Sequence, residues 1–272
     1  MKNLIIIICT CLWSLVGNAQ FSRHIVELNN KQATTHSLDN PSTFLSAKAI
    51  ARRTKYNISI DSTDLPIPKA YLDSITTVPN VKILNTSKWL NLVLIQTTDA
   101  NALTKIQTFP FVKKTSAIAK RVINDYHDAD KFEEISTDFF YRNNRRLTAQ
   151  SYYDYGNSFE QVHIHEGEFL HDQGFRGQGM TIAVFDAGFL GYQTNSAFDS
   201  LRAGNQIKGT WDFVKNEASV NEDHVHGMYC LSIIAANKPG ALVGTAPKAD
   251  FYLFRTEEAA TEYPVEEQNW AA

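Results

Sequence analysis

Residues 177–189 read GQGMTIAVFDAGF, and the fold of the second half of the chain turns on them. Gly177-Gln178-Gly179 makes a turn, and Met180 to Phe185 follow as an apolar run without alternation, the pattern of a strand buried on both faces of a parallel sheet. The run stops at Asp186, just ahead of Gly188. Ligand sites in open α/β sheets lie beyond the carboxyl ends of the strands, so an acid there is a candidate functional group. On position alone, Asp186 serves equally well as a turn or capping residue.

Downstream, HGMYCLSIIAAN (226–237) has helical apolar spacing, ALVG follows, and DFYLFR (250–255) reads as another buried strand. A helix is also expected across Phe159 to Gln173. The order β, α, β predicts a doubly wound α/β sheet with helices on both faces for residues 156–272.

Residues 20–120 have a different character and predict a small α+β module. Val81–Leu84 and Trp89–Gln96 read as a hairpin turning at Asn85-Thr86-Ser87. One helix is expected after Ser42, through Phe44, Leu45, Ala47, Ile50 and Ala51. A second follows the cap Asp99 through Leu103 and Ile106, and FPFVKK (109–114) supplies an edge strand. Between the two parts, residues 121–155 are polar, charged and dotted with aromatics, and read as a connector.

Met1 to Ala19 form a secretory signal peptide in pattern: Lys2, an apolar run from Leu4 to Val16, and small Gly17 and Ala19 before a cut at Gln20. The run is shorter than the about 20 residues of a spanning helix, and no later segment is long and apolar enough, so no membrane anchor is expected. The exported chain then keeps one cysteine, Cys230, whose spacing among Ile233, Ile234 and Ala235 suits a small apolar core residue better than a nucleophile. With 43% hydrophobic residues the chain can bury a real core. Its 26 basic and 29 acidic residues are intermingled, which leaves no electrostatic footprint for nucleic acid.

His226 stands at the start of the predicted helix, beside Gly227, and is the second candidate for chemistry. His224-Val225-His226, with Glu222 and Asp223, also offers metal-type ligands, which leaves a metal-dependent hydrolase open. His163 and His165 fall on different faces of a helix and read as polar surface.

Taken together, these segments resemble the subtilisin-like serine peptidases, the subtilases. GQGMTIAVFDAGF is similar to their aspartate motif, HGMYCLSIIAAN to their histidine motif, and GTAPKADFYLFR to the turn and strand that follow. The three occur in family order, with 40 residues from Asp186 to His226 and 21 from His226 to Pro247. Tyr229 and Leu231 depart from the usual histidine motif. PNVKILNTSKWLNLVLI and LSAKAIARR resemble a subtilase propeptide.

The resemblance implies a partial subtilisin-like sheet behind a propeptide, a secreted endopeptidase precursor acting on polypeptide, and catalytic Asp186 and His226. Asp186 would orient His226, the general base, for a serine. The family's Gly-Thr-Ser-x-x-x-Pro motif is absent from the sequence, and Ser232, on the same predicted helix as His226, is expected to be buried and turned away. The chain is therefore expected to be the N-terminal portion of a longer, triad-bearing product, and inactive by itself. No organic cofactor is implied; subtilases often bind structural calcium, for which no ligands are assigned. A non-catalytic inhibitor or binding protein is the remaining alternative.

Overall fold

The structure, a computed structural model, describes residues 22–118 and 151–272. The signal-peptide reading and most of the connector lie outside the described residues.

In the first part the elements run β1 (Arg23–Leu28), α1 (Ala47–Lys55), α2 (Lys69–Thr76), β2 (Lys82–Ser87), β3 (Leu92–Gln96), α3 (Ala100–Gln107) and β4 (Val112–Ala117). The sheet is antiparallel in the order β2-β3-β1-β4, the split β-α-β path in which each outer strand is reached over a helix. Tyr71 and Ile75 of α2 and Ala102 and Ile106 of α3, four residues apart in each helix, lie on one helical face. They close a core with Val26, Val93 and Ile95 of the central strands. Asp99 caps α3 as expected, its carboxylate accepting from Asn101 N at 2.9 Å.

Two local readings change. Asn85, Thr86 and Ser87 belong to β2, and the chain turns at 88–91, where Asn91 takes a left-handed φ of 53° and its amide donates to Leu28 O at 2.9 Å. The first helix starts after Ser46, whose hydroxyl accepts from Ala49 N at 3.2 Å; Ser42 donates to Asn40 Oδ1 and sits in a 3₁₀ turn. The helix α2 carried no capping signal in the sequence, since it follows Pro68 without a side-chain cap.

The second part contains α4 (Phe159–His163), α5 (Gly167–Asp172), β5 (Thr181–Asp186), α6 (Asp199–Ala203), β6 (Ile207–Asp212), α7 (His226–Ala235), the short hairpin β7 (Asn237–Lys238) and β8 (Leu242–Val243), β9 (Asp250–Arg255) and α8 (Val265–Trp270). The expected long helix over 159–173 is broken at Glu166, which has φ 52°; a Cβ on Gly167 would lie 2.8 Å from Val162 Cγ1.

Strands β5, β9 and β6 form a parallel sheet in that order, so the last strand inserts between the first two. Met228, Leu231 and Ala235 of α7 pack on Val184, Phe251 and Leu253. On the other face Phe185 meets Trp270 of α8, with ring centroids 6.1 Å apart. Burial along β5 alternates, and Phe185 is 37% exposed, so the reading of a strand buried on both faces is corrected: α7 seals one face only. The two parts touch where Asn85 Nδ2 donates to Asn269 Oδ1 at 3.1 Å.

The buried His171 stacks on Tyr155 and meets Tyr153 edge-on, both members of a satellite cluster with Val162 and Val243. His171 Nε2 lies 2.9 Å from Thr245 O, which can only accept, so Nε2 carries the proton and Nδ1 accepts from the Tyr155 hydroxyl at 2.7 Å. Tyr155→Phe removes that donor from a ring only 1% exposed. It should lower stability by about 1–3 kcal/mol in denaturant titration, the cost of an orphaned buried acceptor. An unchanged midpoint would show that water takes over the bond.

Candidate active site

The parallel register brings Asp186, Arg255 and Asp212 level with one another at the carboxyl end of the sheet. Asp186 ends β5 and is 5% exposed. Ala187 N donates to its Oδ1 at 2.7 Å, and Thr256 N donates to its backbone carbonyl at 3.0 Å, so both its side chain and its backbone are held.

His226 opens α7. The helix lacks a side-chain cap from Val225; instead His226 N donates to His224 Nδ1 at 3.1 Å. The imidazole projects toward the strand end, with Nδ1 3.0 Å from both Oδ1 and Oδ2 of Asp186. A carboxylate only accepts, so in the neutral ring Nδ1 carries the proton and Nε2 is the basic nitrogen. The His226 side chain is 28% exposed against 7% for Asp186, so the pair reaches the surface on the imidazole side.

Glycines make this approach possible. A Cβ on Gly227 would sit 2.5 Å from Gly188 O and 2.8 Å from Asp186 Cβ, and one on Gly188 would sit 2.7 Å from His224 N. The bridge between Gly188 and Asp223, with Leu190 N donating to His224 O at 3.0 Å, ties the turn after β5 to the loop before α7.

Cys230, one helical turn on, places Sγ 3.8 Å from His226 Nδ1 and 3.9 Å from Nε2. Burial, and then the neighbouring Asp186 carboxylate, push its thiol up to about 11, so it is a neutral thiol near pH 7. Cys230 is half-buried against the Asp186–His226 pair and is not a member of the apolar core cluster, which corrects the reading of a small core residue. Ser232 is half-buried rather than buried, and its hydroxyl donates to Tyr229 O at 2.7 Å within its own helix.

The ligand set read for a metal hydrolase is not assembled. His224 Nδ1 faces the backbone, Glu222 accepts from Ser219, and Asp223 pairs with Lys215 at 2.7 Å and Arg255 at 3.2 Å. Among the described residues the group with converging ligand atoms is Asp186, His226 and Cys230, within 4.8 Å of one another. His163 stacks on Phe159 and pairs with Glu168, whose hydrogen bond holds the imidazolium upward, as suits a polar helix surface.

Arg255 is the group that sequence reading passed over. It is 1% exposed and contacts Ala187 O, Asp212, Asp223 and Glu258. The signal was there in outline, since DFYLFR is an apolar strand that ends, like TIAVFD, in a charge.

A family model described as the peptidase S8 propeptide domain of Bacteroidota matches residues 23–134, and the model of the subtilase family matches residues 177–269. Thermitase of Thermoactinomyces vulgaris is 33% identical over 81 residues, which are 29% of this chain and 26% of that protein. Among solved structures, fervidolysin from Fervidobacterium pennivorans, a keratinolytic enzyme related to subtilisin, aligns at 15% identity and a TM-score of 0.46, over 89% of this chain and 31% of its own. The epidermin leader peptide processing serine protease of Staphylococcus aureus aligns at 13% identity and a TM-score of 0.41, over 92% and 46%. The chain thus spans less than half the length of each of these relatives. The chain thus carries, in order, a subtilase propeptide domain over residues 23–134 and a region of the subtilase family over residues 177–269.

Proposed function

We propose that the chain is part of a secreted endopeptidase precursor that hydrolyses peptide bonds through an Asp-His-Ser triad, in which Asp186 and His226 are the first two members. The observation that carries the proposal is the symmetric 3.0 Å contact of His226 Nδ1 with both carboxylate oxygens of Asp186. In this reading Nε2 of His226 draws the proton from a serine hydroxyl as it attacks the scissile carbonyl. The resulting imidazolium is stabilised by Asp186 and returns the proton to the leaving amine. Water then repeats the sequence on the acyl-enzyme. The Gly-Thr-Ser-x-x-x-Pro pattern that would carry this serine does not occur in the sequence. The mechanism calls for no organic cofactor.

Residues 1–19 direct export, and the module over 20–120 is the propeptide, which assists folding of the peptidase region and covers its cleft until removed. Secreted peptidases that persist behind a high unfolding barrier gain from such a template, because the same barrier slows folding. The substrate class is polypeptide; among the described residues no helix is long and apolar enough to cross a membrane.

The test is made on the whole gene product, matured and purified, with casein and a fluorescent fluorophosphonate. Casein should be cleaved and one serine esterified, with cleavage lost in step with labelling. Cleavage that survives the phosphonate but is stopped by chelators would replace this reading with the metal hydrolase. Binding of peptidases without cleavage or labelling would replace it with the inhibitor.

A further inference from the structure

We infer that Arg255 is a positioning residue for the Asp186–His226 pair, the group that holds the carboxylate-bearing turn and the imidazole-bearing loop in mutual register. The inference rests on the triad reading above. Arg255 ends the central strand β9, flanked by Asp186 on β5 and Asp212 on β6, and its side chain is 2% exposed. Its planar head reaches in three directions. Nε donates to Ala187 O at 2.9 Å. Nη1 meets Asp212 Oδ2 at 2.9 Å and Asp223 Oδ2 at 3.2 Å, and Nη2 meets Glu258 Oε1 at 3.0 Å.

Two of these contacts lead directly to the pair. Ala187 N donates to Asp186 Oδ1, so fixing the Ala187 carbonyl fixes the residue whose amide holds the carboxylate. Asp223 lies three residues before His226 and is bridged to Gly188. The guanidinium therefore grips both sides of the hydrogen bond from positions one residue and three residues away. Asp212, fully buried, is in turn held by Val214 N at 2.7 Å and Lys215 N at 2.9 Å, which anchors the third strand to the same head group. A plain buried ion pair would require only charge compensation. A fork serving one backbone carbonyl and three carboxylates is a geometric device, for which lysine, a point charge, is no substitute.

Arg255→Lys separates the two roles, because it keeps the charge and loses the fork. In the ¹⁵N-histidine-labelled 272-residue chain, the Nδ1 proton of His226, hydrogen-bonded to a carboxylate, should give a downfield resonance, assigned by its loss in His226→Gln. In Arg255→Lys that proton should exchange with water about tenfold faster, the equivalent of a hydrogen bond weakened by about 1.4 kcal/mol. Tyr155→Phe, destabilised elsewhere in the domain, should leave the rate unchanged.

If Arg255→Lys loses stability while the Nδ1 proton exchanges at the wild-type rate, Arg255 is structural only and the inference is overturned. Asp186→Ala serves as the separate check on the pair: a resonance that survives it overturns the triad reading itself. Should Arg255→Lys fail to fold, Asp223→Asn cuts the arm to the His226 loop, at a side chain 18% exposed, together with the Lys215 pair, which Lys215→Met removes alone as the control. Exchange several-fold faster supports the inference, and an unchanged rate overturns it.

Discussion

His226→Ala in the matured, full-length peptidase should lower kcat on a peptide substrate by about 10⁶-fold, and Asp186→Asn by about 10⁴-fold, with KM changed little in either. The difference follows from what each group does. In the proposed mechanism His226 is the proton carrier, and among the described residues its neighbours are poor substitutes: the Cys230 thiol is held neutral, and His224 Nδ1 is engaged by the backbone. In that mechanism Asp186 would act through His226, by keeping the proton on Nδ1 and by stabilising the imidazolium in the transition state. Asparagine in its place can present an N–H to Nδ1, which favours the wrong tautomer and leaves Nε2 protonated when it has to accept. Since the two residues work as a unit, the double variant should be no slower than His226→Ala alone. Circular dichroism of each variant should match the wild type, because Asp186 is also held by Ala187 N. A loss below about tenfold for His226→Ala in a folded protein would remove it from the proton-transfer path.

How much of this site is legible in the sequence depends on whether a residue's position is fixed by local pattern or by pairing. Asp186 and His226 stand at element ends that the pattern marks: the apolar run stops at one, and the helical face starts beside the other. Their distance in space is not local, because it depends on β9 inserting between β5 and β6, an order that no spacing rule prints. For the same reason Arg255 was invisible as a partner. Its role exists only once the register sets it level with Asp186 and Asp212.

In the first part, the Asp99 cap was readable because its side chain serves the next turn of chain. The Ser42 and Ser46 alternative was not, since either serine suits a helix start and only the competing bond to Asn40 decides between them. The hairpin turn lies outside the stretch its composition suggests, because Asn-Thr-Ser is turn-like in composition while Asn91 adopts the left-handed backbone that closes the loop. The burial of β5 differs from the pattern for another reason: an apolar run records which side chains tolerate burial, and here α7 seals one face while α8 meets the other at Phe185.

Gly227→Ala should lower thermal stability by about 1–3 kcal/mol and kcat by about 10²-fold, although alanine is the better helix former by about 1 kcal/mol. The reason is that the space for a methyl group is taken by the other half of the site. The new Cβ would lie 2.5 Å from Gly188 O, 2.8 Å from Asp186 Cβ and 2.9 Å from Phe189 Cε1. The opposing wall has little freedom to retreat: Phe189 is fully buried, its amide donates to Val220 O at 2.8 Å, and Gly188 is packed against His224. Helix α7 has to yield instead, and because His226 is its first residue the imidazole moves with it. A displacement of even several tenths of an ångström opens the 3.0 Å contact with Asp186, so the structural loss and the catalytic loss should appear together. Ser232→Ala, on the outer side of the same helix, provides the contrast, with stability within about 0.5 kcal/mol and kcat unchanged. If Gly227→Ala keeps both wild-type stability and wild-type kcat, the close approach of helix and strand end does not set the geometry of the pair.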